Sequence, residues 1–271
     1  MQKSELRVAV GGFGTIGQPV ARWLDGGVAG LSLAAVSARD QEKAAAKMAD
    51  FRKPALILPL EDLAEAADVV VECAPAAAFM AVAGPAVEQG RIFMPISVGA
   101  LLSHMELIDR ARETGARIVV PTGAIIGLDA LKAAAEGTIH EVRLETRKPP
   151  RGLMGAPYLA EHGIDLENLS EPLKVFEGTA REAVKGFPAN VNVSAALSLA
   201  GIGPDRTMIE IWADPGVTRN MQSVRVEAEE ARFSMQIENA PSPDHPATGR
   251  ITPLSVIATL RRLVSPLQVG T

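Results

Sequence analysis

The chain has 271 residues, 47% apolar and 22% charged, with 27 Lys and Arg against 32 Asp and Glu for a formal charge of −5. That balance excludes a disordered chain, points to about two domains, and gives no polycation to coat nucleic acid or an anionic membrane. The one cysteine, Cys73, excludes an internal disulfide and a cysteine-built zinc cluster.

In chain order, Leu6 to Val10 is a short apolar run that ends in Gly11-Gly12, and apolar residues from Thr15 to Leu24 recur at helical spacing. Leu31 to Val36 predicts a second strand, and Gln41 to Phe51 a helix rich in Ala and Lys. Strands are expected at Ala55 to Leu60 and Asp68 to Cys73, then a helix at Ala76 to Glu88. A strand at Arg91 to Ser97, a helix at Leu101 to Thr114 and a strand at Ala116 to Pro121 complete the series. Strands alternating with helices imply right-handed crossovers and a parallel sheet covered on both faces.

The pattern changes near residue 137. Thr138 to Thr146 alternates in the manner of a half-exposed strand, and a Pro- and Gly-rich loop, Lys148 to Pro157, follows. A strand at Leu173 to Phe176 and helices at Thr179 to Lys185 and Ala189 to Leu199 come next. Strands at Thr207 to Ala213, Ser223 to Ala228 and Arg232 to Glu238 precede an apolar helix, Ile251 to Leu263. The expected fold class is α/β: a Rossmann-type parallel-sheet domain plus a second α/β domain with an open mixed sheet. No run of about 18 apolar residues predicts a membrane span, and Met1 to Leu6 lacks the features of a secretory signal. The expected compartment is the cytoplasm, which suits a single free cysteine. The 4% aromatic content argues against stacking platforms for single-stranded nucleic acid.

Gly12-Phe13-Gly14-Thr15-Ile16-Gly17 fits G-x-G-x-x-G between a strand and a helix. The first glycine permits a tight turn, the second lets backbone approach a pyrophosphate, and the third lets helix and strand pack closely. Gly12, Gly14, Thr15, Ile16 and Gly17 are therefore expected to hold a dinucleotide, its phosphates at the helix N-terminus. The residue after the second strand selects the cofactor, and the chain reads Ser37-Ala38-Arg39-Asp40 there. Asp40 either faces the ribose or caps the next helix; Arg39 and Ser37 either hold a 2′-phosphate or are solvated. NAD and NADP both stay open. Ala74 and Ser97 fall at the carboxyl ends of their strands, where ligands sit, and Ser97 either bonds the nicotinamide carboxamide or ends its strand. Cys73 has no neighbour that would raise its thiolate fraction, and a small buried cysteine is ordinary.

Several segments resemble the L-aspartate dehydrogenase family. They include Gly12 to Gly17, Glu72-Cys-Ala, Ser97-Val-Gly-Ala-Leu, Pro121 to Ala130 and Thr146-Arg-Lys-Pro-Pro. The likeness continues through Phe176 to Ala183, Phe187 to Leu197, Ala213-Asp-Pro, Arg219-Asn220, Glu238 to Ser242 and Leu254 to Arg261. It implies a dinucleotide-binding domain over 1–124, completed by a C-terminal helix in 246–271, and a substrate and dimerisation domain over 125–245. It also implies reversible deamination of L-aspartate to oxaloacetate and ammonia with NAD or NADP, in a homodimer. By the same likeness Ala124 and Asn190 match positions that touch the nicotinamide cofactor; Asn190 could instead satisfy backbone groups at a helix start.

The family pattern after Arg219-Asn220 carries a histidine that acts as acid and base. Here Met221-Gln222 follow, and Met221 is taken to stand in that position. A thioether carries no proton near neutrality, whereas an imidazole does. Glu230-Ala-Arg-Phe and His245-Pro-Ala-Thr also depart from the family pattern, which marks a divergent branch. None of His104, His140, His162 and His245 has a partner at metal-ligand spacing, so no metal is expected.

A dicarboxylate needs cationic partners. Arg147 and Lys148, with Asn220, are the candidates, and the pair's alternative is a solvated loop entrance. Two other functions stay open. One is an NAD(P)H-dependent imine reductase or amine dehydrogenase acting on a less polar carbonyl; the other is a dinucleotide-binding sensor without catalysis. The expected partner is a small molecule, with neither nucleic acid nor membrane.

Overall fold

The computed structural model describes residues 5–188, 191–243 and 248–271. The chain divides into two compact units, one running to Pro121 and taking in Pro253–Gln268, the other Thr122–Thr252 with Val269–Thr271.

The first unit alternates strand and helix: β1 (Leu6–Gly11), α1 (Gly17–Asp25), β2 (Leu31–Ser37), α2 (Gln41–Lys47), β3 (Leu56–Ile57) and α3 (Leu63–Ala66). It continues with β4 (Val69–Glu72), α4 (Phe79–Glu88), β5 (Ile92–Pro95), α5 (Val98–Leu102), α6 (Glu106–Thr114) and β6 (Arg117–Ile118). The strands form one parallel sheet in the order β3-β2-β1-β4-β5-β6. The order reverses between β1 and β4, so their carboxyl ends frame the crevice where such sheets bind ligands. All four residues of β4 are buried, as strands covered on both faces require. The core joins Val8, Val10, Val36 and Val71 to Val20 and Leu24 of α1, and to Val256 and Leu260 of the last helix, α11 (Ile251–Val264).

The second unit contains α7 (Leu128–Ala134), β7 (Ile139–Lys148), α8 (Pro157–Glu161), β8 (Leu173–Thr179), α9 (Ala180–Gly186), α10 (Asn192–Ala200), β9 (Thr207–Ala213), β10 (Asn220–Ala228) and β11 (Arg232–Asn239). Its sheet has the order β11-β10-β7-β9-β8. β7 and β9 run parallel and the other pairs antiparallel, so the sheet is mixed. The α/β expectation holds for both units.

Several boundaries differ from the sequence reading, for local reasons. Pro54 and Pro59 bracket the third strand, and only Leu56 and Ile57 pair with β2. The helix expected over Leu101 to Thr114 is two helices broken between Leu102 and Glu106. β7 runs on through Arg147 and Lys148, and β10 begins at Asn220 rather than Ser223. Helix α7, not foreseen, starts after Gly127 at φ +73, where a Cβ would meet the Met235 sulfur at 1.8 Å. Thr179 and Glu182 form a reciprocal capping box that fixes the start of α9.

Candidate functional site

In the first unit the glycine turn stands at the crevice. Gly12 has φ +108, and a Cβ there would lie 2.5 Å from the Cys73 carbonyl oxygen. A Cβ on Gly17 would lie 1.9 Å from the Gly12 oxygen, so the turn and the start of α1 are in backbone contact. Gly14 is different: a Cβ there would meet nothing within 4 Å. The space that Gly14 leaves clear is the approach a pyrophosphate needs. Helix α1 has Ile16 at its N-cap, no side-chain cap and no acid in its first turn. Among the described residues nothing accepts from the backbone N–H groups of Gly14, Thr15 and Ile16. These uncapped amides and the positive end of the helix suit an anion. The residues present therefore fit a dinucleotide.

The ends of the neighbouring strands complete this half. Gly12 N–H donates to the Ser37 carbonyl (3.0 Å), which sets the end of β2 against the turn. Glu72, fully buried at the end of β4, accepts from Ile96 N (3.1 Å), Ser97 N (2.9 Å) and Ser97 Oγ (3.0 Å). Burial raises the Glu72 carboxyl above its usual range, although the bonds from Ser97 and its neighbours pull the other way. The clamp fixes Ser97 beside Ala74, whose carbonyl lies 3.4 Å from Ser97 Oγ. Ser97 spends its hydroxyl proton on Glu72, which leaves its oxygen lone pairs as acceptors. Burial, and then the charge of Glu72, push the Cys73 thiol well up, the reverse of what a nucleophile needs. Asp40 takes the second of its two readings, because its Oδ1 accepts from Lys43 N (2.9 Å) as the N-cap of α2.

In the second unit the candidate residues sit on β7 and β10, and strand alternation sorts them. Val142, Leu144, Thr146 and Lys148 are buried on one face of β7; Glu141, Arg143, Glu145 and Arg147 are half-buried on the other. Thr146 stands opposite Gln222 and Arg147 opposite Met221. The buried face therefore collects Thr146, Lys148, Asn220, Gln222 and, through its pairing with Asn220, Asn239. Thr146 Oγ1 donates to Gln222 Oε1 (2.6 Å), and Asn239 Nδ2 donates to the Ala124 carbonyl (2.8 Å). Burial alone lowers the Lys148 pKa from 10.5 to about 8. Among the described residues of this cluster Lys148 alone titrates.

Two expectations are corrected here. Met221 projects from the face opposite Asn220, so it does not share the face that Asn220 and Lys148 build. Gln222, two residues on from Asn220, occupies the inward position opposite Thr146. Arg147 also lies on the outer face. It pairs with Glu145 (2.6 Å) and Asp214 (3.2 Å) and covers the Trp212 ring at 4.6 Å, so Lys148 is the inward cation of the pair. Asn190 and His245 lie outside the described residues. The described residues contain no cluster of three or more His, Cys, Asp or Glu able to hold a metal ion, and no helix long and apolar enough to cross a membrane.

Sequence reasoning missed Gln222, Thr146, Asn239 and the Glu72 clamp. Starting β10 at Ser223 left Gln222 outside any alternation; starting it at Asn220 would have placed Asn220 and Gln222 on one face. The partners of Gln222 and Asn239 are distant in sequence and had no local signal.

A family model described as "Homoserine dehydrogenase, NAD binding domain" matches residues 12–121, and one described as "Aspartate dehydrogenase, C-terminal" matches 129–263. The L-aspartate dehydrogenase of Bradyrhizobium diazoefficiens is 57% identical over 268 residues, which covers 99% of this chain and 95% of that protein. L-aspartate dehydrogenase 3 of Bordetella bronchiseptica is 50% identical over 270 residues, 99% of each chain. Among solved structures, the aspartate dehydrogenase of Thermotoga maritima superposes with a TM-score of 0.70 at 25% identity, covering 98% of this chain and 99% of that one. With relatives this similar over nearly their full length, and a glycine cradle and an inward polar cluster in the matched segments, the chain belongs to the L-aspartate dehydrogenase family.

Proposed function

We propose that this protein interconverts L-aspartate and oxaloacetate plus ammonia with NAD or NADP. The observation that carries the reading is the buried cluster of Lys148, Asn220, Gln222 and Thr146 in a unit that matches the family's C-terminal model. A dicarboxylate needs a cation and amide donors in a water-poor setting, and that cluster offers both.

The reduced nicotinamide, when bound, supplies a hydride. Gly12, Gly14, Thr15, Ile16 and Gly17 hold the phosphates, and Ser97, fixed by Glu72, accepts from the carboxamide. Asn190 and Ala124 are proposed at the nicotinamide on the strength of the family likeness. Ammonia adds to the keto carbon of oxaloacetate, and the resulting hydroxyl must take a proton before it leaves as water. Lys148, with a pKa near 8, can give that proton and regain it from solvent; Gln222 can only donate a hydrogen bond. In the reverse direction neutral Lys148 accepts a proton from the substrate ammonium. We propose the cytoplasm as the site of action and a homodimer as the working form, the latter to be read by light scattering.

The test is nicotinamide absorbance with oxaloacetate plus ammonium, and with L-aspartate in reverse, for each cofactor. Turnover in both directions is expected, and its loss in Lys148→Met. Background rates with both cofactors would defeat the assignment. One observation favours a second reading: among the described residues the inward face carries the neutral amide Gln222 and no imidazole. A less polar ketone or a preformed imine asks less of such a site. If a panel of ketones and cyclic imines outperforms oxaloacetate, this second reading replaces the first.

A further inference from the structure

The four residues after the β2 strand core, Ser37 to Asp40, hold both an acid and a base, and their sequence does not choose between cofactors. The geometry chooses. We infer that the ribose end of the nucleotide cradle selects a dinucleotide bearing a 2′-phosphate, and that Arg39 is the residue that discriminates. The inference rests on the dinucleotide reading of the glycine turn and is independent of the substrate.

The Ser37 carbonyl accepts from Gly12 N–H, so the residues that follow β2 emerge beside the glycine turn, where the adenosine ribose of a bound dinucleotide lies. An NAD-selective site places a carboxylate there to take the ribose hydroxyls. Ser37 is the last residue of β2; it is buried and has no charge. Ala38 has no polar group. Asp40 is the one acid of the four, and its carboxylate is already bound as the N-cap of α2, in the extended backbone conformation (φ −101, ψ 95) that a cap requires. Gripping both ribose hydroxyls would put Oδ1 in competition with Lys43 N–H and weaken the cap.

Arg39 is exposed, and among the described residues its guanidinium has no partner. This sets it apart from Arg7, Arg22, Arg91 and Arg110 of the same unit, each of which holds a carboxylate or carbonyl oxygen. Lys43, in the first turn of α2, is also exposed with its ammonium unpartnered among the described residues. Lys47, one turn on, is engaged with Gln18 Oε1 (2.9 Å). The opposing charge here is Glu42, exposed in the first turn of α2, together with the capping Asp40. A phosphate monoester carries more than one negative charge and three acceptor oxygens, and a planar guanidinium meets it with two parallel N–H bonds. A ribose hydroxyl offers Arg39 neither charge nor a matching fork.

The experiment needs no substrate. NADPH and NADH are titrated separately into the full-length protein, and nucleotide fluorescence gives each Kd. A charge-assisted contact of this kind is worth about tenfold to a hundredfold in Kd. NADPH should therefore bind at least about tenfold more tightly than NADH at low salt, and its Kd should weaken more steeply as salt rises. Arg39→Gln should remove most of that advantage and leave NADH within about threefold of wild type; Arg39→Lys should keep part of it. Adenosine 2′,5′-bisphosphate should displace NADH better from wild type than from Arg39→Gln. Asp40→Asn keeps the cap, so NADH affinity should hold. NADH binding as tightly as NADPH, equal losses of both in Arg39→Gln, or a loss of NADH alone in Asp40→Asn would each overturn the proposal. A protein that binds neither nucleotide would instead overturn the dinucleotide reading itself.

Discussion

Lys148 brings an ammonium into a face of the second unit otherwise lined by apolar, amide and hydroxyl groups, and its surface is 5% exposed. The physical consequence is a linkage whose sign can be worked out. In the folded chain Lys148 loses its proton near pH 8, and in the unfolded chain near 10.5. Between those values the unfolded state binds more protons, so stability from this group rises with pH. Below pH 8 the folded state carries a buried charge at a cost of roughly 3 kcal/mol, at about 1.4 kcal/mol per pKa unit. Lys148→Met should therefore be more stable than wild type at pH 7, and the gap should close as pH rises from about 8 towards 10.5. Thermal melts of both proteins across that range check it. A gap that stays constant, or widens with pH, would mean that Lys148 is not desolvated as described. An inactive but stabilised Lys148→Met is the pattern expected where a costly charge is kept for chemistry.

At the scale of the element, one phase of one strand decides which side chains meet. β10 extends to Asn220, and its alternation sends Asn220 and Gln222 inward and Met221 outward, against Arg147. Gln222→His should place an imidazole on the face that holds Lys148 and Thr146. General acid–base groups contribute about 10²–10⁴-fold where no other group serves, so beside Lys148 the aspartate rate should rise by less than that range but measurably. Met221→His should leave the rate within about twofold, because its imidazole would lie on the opposite face. Steady-state rates of the two variants distinguish the faces: a gain in Met221→His with none in Gln222→His would refute the assigned phase. The sequence was legible where one residue type forces one geometry. G-x-G-x-x-G between strand and helix located the cradle, and the change from crossovers to alternation near residue 137 located the second unit. It was not legible where long-range pairing decides. Whether Arg147 turns towards Lys148 or away from it depends on β7 continuing two residues past Thr146, and a Pro-Pro pair directly downstream reads locally as a loop. The same limit hid Glu72, whose role depends on the start of α5 some 25 residues later. Asp40 shows the intermediate case, since its two readings were visible and only the backbone angle of a cap separated them.

At the scale of the whole molecule the chain's two ends are not equivalent in the fold. The first unit recruits its last core residues from α11, more than a hundred residues after the rest of it. Val256 and Leu260 are fully buried among Val8, Val10, Val36 and Val71, so β1 and the glycine turn it carries rest on a helix from the other end of the chain. Removing three heavy atoms at such a position costs about 2–5 kcal/mol through lost burial and the cavity left behind. Leu260→Ala should then speed hydrogen exchange of the β1, β2 and β4 amides, which report the opening of the first unit. The β7 and β9 amides belong to the second unit and should exchange at wild-type rates. Leu144→Ala, buried in the second unit at 1% exposure, should give the converse pattern. A nucleotide that binds the cradle at about 100 times its Kd adds about 2.7 kcal/mol to the native state, so saturating NADPH should restore much of the β1 protection lost in Leu260→Ala. Faster exchange in β7 and β9 with β1 unchanged in Leu260→Ala would show that α11 does not carry the first unit's core.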